Sequence, residues 1–141
     1  MKNIFIFLFS LILFSGCSPK VTQNGQEATI IYQAFSRGYF LSVELQGNKL
    51  TVSKERDVEG KDLILNDAEA KELSALFQKI TLADLETYKG PTEKRFYDGA
   101  AIANLTANQQ GKVYKTPDFD HGNPPVEIAE FINKIVAFTE K

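Results

Sequence analysis

Nine residues, Pro117-Asp-Phe-Asp-His-Gly-Asn-Pro-Pro125, collect the chain's single histidine, two aspartates and three of its five prolines. Asp118, Asp120 and His121 are residue types that hold a metal ion or move a proton, and paired carboxylates could serve glycoside hydrolysis. Each specific pattern fails on its spacing. Counted from Asp118, a calcium loop needs Asp or Asn at the fifth place, Gly at the sixth and Glu at the twelfth, where this chain has Gly122, Asn123 and Ala129. Catalytic zinc sites usually draw on two or three histidines, and here there is one. With His121 as base, acyl transfer would need a nucleophilic serine, and no serine sits in a G-x-S-x-G turn. The remaining choice is between a binding patch of Asp118, Asp120 and His121 and a structural joint. Gly122 permits a turn, Asn123 is a favoured N-cap, and Pro124 suits a first helical position, where its missing N–H has no intrahelical partner. The spacing thus predicts a terminal helix capped by Asn123, with His121 partly exposed beside it.

A second stretch, Gly90-Pro-Thr-Glu-Lys-Arg-Phe-Tyr-Asp-Gly99, places Arg95 and Tyr97 around Phe96. Arginine and tyrosine are enriched among the anchors of protein interfaces, so Arg95 and Tyr97 are candidate binding residues on an irregular, charged loop.

The third chemical signal is Cys17, the only cysteine. It follows Lys2, an eleven-residue apolar run from Ile4 to Phe14, and the small residues Ser15 and Gly16. A helix needs about 20 apolar residues to span a bilayer, so the run reads as the core of a signal peptide over residues 1–16. "LFSGC" resembles the lipobox of bacterial lipoprotein precursors, with Phe14 where an aliphatic residue is usual. The resemblance implies cleavage before Cys17 and acylation of its thiol, palmitate included. Each buried methylene adds about 0.8 kcal/mol of membrane affinity, and more than one chain makes the attachment stable. Ser18 in place of Asp implies, by the same resemblance, the outer membrane of the cell envelope, facing periplasm or surface.

Cleavage would remove Lys2 and leave 15 Lys and Arg against 18 Asp and Glu, interspersed along the chain. That composition excludes the clustered basic face that binds nucleic acid. With no second cysteine to pair, the domain must be held by its core.

Residues 17–27 are polar and contain Pro19 and Gly25, which predicts a flexible tether, with a single domain over 28–141. "ATIIYQAF" reads as a strand. In "YFLSVELQGNKLTVSK", period-two alternation predicts a hairpin turning at Gly47-Asn48, with Leu45 facing Leu50 and Val43 facing Val52. Asn66 with Glu69 forms a capping-box pattern ahead of Leu73, Leu76, Phe77 and Ile80 at helical spacing. "AAIANLTANQQGKVYKT" predicts a second hairpin, with Ala103 and Leu105 on the buried face and Asn104 on the wet one. Ile128, Phe131, Ile132, Ile135 and Phe138 line one side of the final helix. Antiparallel hairpins interrupted by helices predict an α+β fold: a sheet of about five strands with two helices packed on one face.

This order of elements also resembles the emfourin type of small bacterial metalloprotease inhibitor, which carries a Gly-rich first turn and two hairpin–helix units. The resemblance implies a protease-inhibitor-like module. The residues themselves point to a non-catalytic binding or structural module without cofactor, tied to the membrane through lipid on Cys17 and facing an envelope protein partner. The contrasting expectation is a small hydrolase or metal-binding protein using Asp118, Asp120 and His121. Replacement Cys17→Ala is expected to abolish incorporation of alkyne-palmitate and to release the protein from salt-washed membranes; a variant that still pellets contradicts the lipobox.

Overall fold

The computed structural model describes residues 16–141; the signal peptide expected over residues 1–16 lies, except for Gly16, outside the described residues. Two short strands, β1 (Thr22–Gln23) and β2 (Gln26–Glu27), form a small hairpin. The main sheet contains β3 (Thr29–Phe35), β4 (Phe40–Gln46), β5 (Lys49–Ser53) and β6 (Lys61–Ile64), then β7 (Ile102–Gln109), β8 (Lys112–Lys115) and β9 (Phe119–Asp120). Its order is β6-β5-β4-β3-β7-β8, with β9 also paired to β7, and every pairing is antiparallel. Helices α1 (Asp67–Gln78) and α2 (Ala129–Phe138) complete an α+β fold.

Alternation along the central strands produces the core. Ile30, Tyr32 and Ala34 of β3 face Leu45, Val43 and Leu41 of β4 on one side, and Ala107, Leu105 and Ala103 of β7 on the other. All nine are buried. Leu45 faces Leu50, and Val43 faces Val52, as the alternation predicts. The capping box is present: the Glu69 N–H donates to Asn66 Oδ1 at 2.9 Å, and the Asn66 N–H donates to Glu69 Oε2 at 3.0 Å. Both helices bury their apolar stripes, and the rings of Phe77 and Phe131 meet at 5.4 Å between centroids.

The main sheet has seven strands where about five were expected. The two extra ones, β6 and β9, are short and lie in segments that read as a lead-in to α1 and as a joint. The expected tether also differs. From Val21 onward the chain is docked: Val21 is buried and donates its N–H to the Gly47 carbonyl at 2.9 Å. Gln23 Nε2 donates to the carbonyl of Phe77 in the last turn of α1 and to that of Ile80 just beyond it, tying the hairpin to the end of the helix. Asn24 and Gly25, both at positive φ, make the two-residue turn between β1 and β2.

The edge strand beside β7 carries the irregularity that matters most. Thr116 pairs with Leu105, its N–H donating to the Leu105 carbonyl at 3.0 Å, and Phe119 pairs with Ala103. Between those pairs β7 has one residue, Asn104, whereas the edge strand has two, Pro117 and Asp118. This is a β-bulge, and one extra residue exchanges the faces of everything that follows. Phe119 therefore points into the core, stacking on Tyr32 at 6.3 Å between centroids, and Asp120 points to the opposite, open face. Deleting Pro117 should restore regular pairing and turn Phe119 outward. Chemical denaturation should then show a loss of at least the about 3–5 kcal/mol that a buried phenylalanine contributes, whereas Pro117→Ala, which keeps the bulge, should cost far less.

Candidate functional site

Asp120 is fully buried, and its carboxylate is the hub of the nine-residue stretch. Oδ2 accepts from the Thr92 hydroxyl at 2.6 Å and from the Lys94 N–H at 2.7 Å. Oδ1 accepts from the Arg95 N–H and from the Arg95 guanidinium, each at 3.1 Å. The same guanidinium donates to the Thr92 carbonyl at 3.1 Å. Burial alone would raise the carboxyl's pKa and is the largest single influence. The hydrogen bonds from Thr92, Arg95 and Lys94 together outweigh it and hold the pKa down to about 2.

Lys94 and Arg95 open a 3₁₀ turn over Lys94–Tyr97, so the carboxylate caps that turn from a distant strand. Its other end is closed as firmly. Asp98 adopts the left-handed conformation at φ 57°, and the N–H groups of Asp98 and Gly99 return to the Lys94 carbonyl. Gly90 is required at the loop's start, since a Cβ there would lie 2.7 Å from Cβ of Phe119. On this clamped turn the Arg95 guanidinium lies over the Phe96 ring at 4.3 Å. Phe96 and Tyr97 are left 72% and 71% exposed.

His121 serves a different assembly. Its Nδ1 is 2.7 Å from the hydroxyl of buried Tyr32 and its Nε2 is 3.0 Å from the hydroxyl of Tyr39. Burial pushes the imidazole pKa below its usual 6.5, so the ring is neutral near pH 7, with one nitrogen donating and the other accepting. Burial raises the Tyr32 hydroxyl strongly, and burial followed by the charge of Glu140 raises Tyr39. Asp118, exposed at the bulge, accepts from Asn104 Nδ2 at 3.2 Å. Asn104 itself is buried, although the alternation placed it on the wet face.

Of the residues singled out by sequence, the structure brings Arg95 and Asp120 together and sends Asp118 and His121 to other partners. Tyr97 stands on the turn that Asp120 caps, and Cys17 is exposed near the start of the described chain. No group of three or more His, Cys, Asp or Glu side chains converges to hold a metal among the described residues. His121 is partly exposed, as expected, but Asn123 does not cap the last helix. Its N–H is held by the Asp120 carbonyl at 2.9 Å, in a tight turn with Gly122 at φ 86°. Pro124 and Pro125 are buried before the helix, whose N-cap is Ile128 without a side-chain bond. Thr92, Tyr32 and Tyr39 are partners that sequence reasoning missed. Only Tyr32, a polar-tipped residue on a core-facing position of a strand, carried a signal. Comparison with protein families, with curated proteins and with solved structures finds no match.

A carboxyl held lower in the folded than in the unfolded state takes up its proton more readily on unfolding. Asp120 therefore contributes stability in full above pH about 4, amounting to about 2 kcal/mol, and loses it as pH falls toward about 2. Urea melts should show Asp120→Asn less stable than the parent at pH 7, with the gap narrowing between pH 4 and pH 2. A gap that stays constant down to pH 2 contradicts this ionisation.

Proposed function

We propose that the chain is a lipid-anchored cell-envelope lipoprotein whose domain is a non-catalytic binding module, holding an envelope protein through the turn that carries Arg95, Phe96 and Tyr97. The observation that supports this most is the pairing of two aromatic side chains, 72% and 71% exposed, with a turn capped by a buried carboxylate. Exposed aromatics on a mobile loop would lose conformational entropy on binding; a turn fixed in advance loses little, so more of the contact energy remains as affinity. Aromatic rings beside an arginine are also the chemistry of interface anchors.

The hydrolase or metal-site reading has less in its favour. The Asp120 oxygens are occupied by four donors, both His121 nitrogens meet tyrosines, and Asp118 turns to Asn104. The membrane attachment rests on Cys17 and its flanking residues. No helix among the described residues is long and apolar enough to cross a membrane.

A photo-crosslinking amino acid placed at position 97 should capture a discrete envelope protein in living cells, and the same probe at Lys71 on α1 should not. The double variant Phe96→Ala/Tyr97→Ala should abolish capture from a neighbouring probe position while altering folding stability by no more than about 0.5 kcal/mol, as expected at exposed sites. Equal capture from position 71, or none from position 97, contradicts the proposal.

A further inference from the structure

All three arginines of the chain, against thirteen lysines, are gathered at one end of the sheet. Arg37 is in the turn that closes β3 onto β4, where the Ser36 N–H donates to the Tyr39 carbonyl at 2.8 Å. Arg56 follows β5, and Arg95 sits beside Asp120, the partner of Ile102 at the start of β7. At this end the open face presents Phe35 and Phe40, paired across β3 and β4 and both half-buried. The Arg56 guanidinium lies over both rings, 5.9 Å from the Phe35 centroid and 5.8 Å from that of Phe40. Phe35, Phe40, Arg56 and Asp57 wall a shallow hollow of about 420 Å³. Arg95 is neutralised by Asp120, but neither Arg37 nor Arg56 forms an ion pair among the described residues.

We infer that this hollow binds an extended protein segment in which a carboxylate side chain neighbours an apolar one. The Arg56 guanidinium carbon lies within cation–π range of both rings, and its N–H groups have no hydrogen-bond or ion-pair partner among the described residues, so a carboxylate can take them in the bidentate geometry that lysine cannot reproduce. The apolar neighbour would lie on the Phe35 and Phe40 rings, and Asp57 on the rim offers an acceptor for a backbone N–H. A lipid phosphate would satisfy the same guanidinium, but position argues against it. Lys20 packs against Gly47 at the β4–β5 turn, so the chain from Cys17 reaches the domain at the far end of the sheet. The seven residues of β4 separate the two ends by about 20 Å. This choice of peptide over headgroup rests on the Cys17 anchor proposed above; the hollow itself does not.

The test uses the purified protein in detergent micelles and a fluorescein-labelled octapeptide alternating Leu with Glu, followed by anisotropy, beside a counterpart in which every Glu is Gln. The Glu peptide should bind about 10-fold more tightly than the Gln peptide, and Arg56→Lys, which keeps the charge but not the fork, should erase about that factor. Thermal melts confirm that the exposed substitution leaves the fold intact. Phe96→Ala/Tyr97→Ala should leave peptide binding in place, so failure of the turn as an anchor and failure of the hollow are separately visible. Equal binding of the two peptides, or undiminished binding by Arg56→Lys, overturns the inference. So does displacement of the peptide by monomeric dihexanoyl-phosphatidylglycerol, which would make a headgroup the ligand.

Discussion

A carboxylate removed entirely from water is tolerable only if donors replace the hydration it loses, and Asp120 is such a group. Its four donors all come from a loop that would otherwise have little reason to lie on the sheet. The charge thus determines the loop's place, and the bulge opposite Asn104 determines the charge's place. A regular edge strand would direct Asp120 toward the apolar layer and Phe119 toward solvent. One additional residue corrects both, so the packing of Phe119 on Tyr32 and the capping of the Lys94–Tyr97 turn are two results of one register shift.

The two ends of the sheet consequently differ in character. At one end the chain coming from Cys17 docks against the β4–β5 turn, and Gln23 ties it to the end of α1. At the other end lie the clamped aromatic turn, the histidine held between two tyrosines, and every arginine in the chain. Ion pairs on the helical side, such as Lys79 with Glu130 and Lys134 with Glu72, are solvent-exposed and add little stability. Cohesion comes from the apolar layer between sheet and helices, which leaves the open face and its loops available for recognition.

The regular parts of the fold were legible because their signals are local. Period-two alternation in β4 and β5 identified the facing pairs Leu45–Leu50 and Val43–Val52, and Asn66 with Glu69 announced the start of α1. The bulge was not legible, since nothing in "TPDFD" declares which residue goes unpaired until β7 supplies the partner strand. Asn123 looked like a cap because its type, followed by two prolines, suits one; the backbone pairing with Asp120 claims it first. Polar residues misled in the tether as well: Gln23 is buried because it finds carbonyls at the end of α1 and just beyond it, 54 and 57 residues away. At the candidate site, Arg95 and Asp120 were each noticed, but their contact spans 25 residues and depends on the bulge.

The central claim is that the buried carboxylate holds the aromatic turn in one conformation. Amide hydrogen exchange of Lys94 and Arg95 tests it most directly, since both N–H groups donate to Asp120. Both amides are expected to exchange far more slowly than those of exposed loop residues such as Glu55, and to lose that protection in Asp120→Asn while the amides of β3 and β4 keep theirs. Rapid exchange at Lys94 and Arg95 in the parent protein, with the sheet protected, would contradict the account.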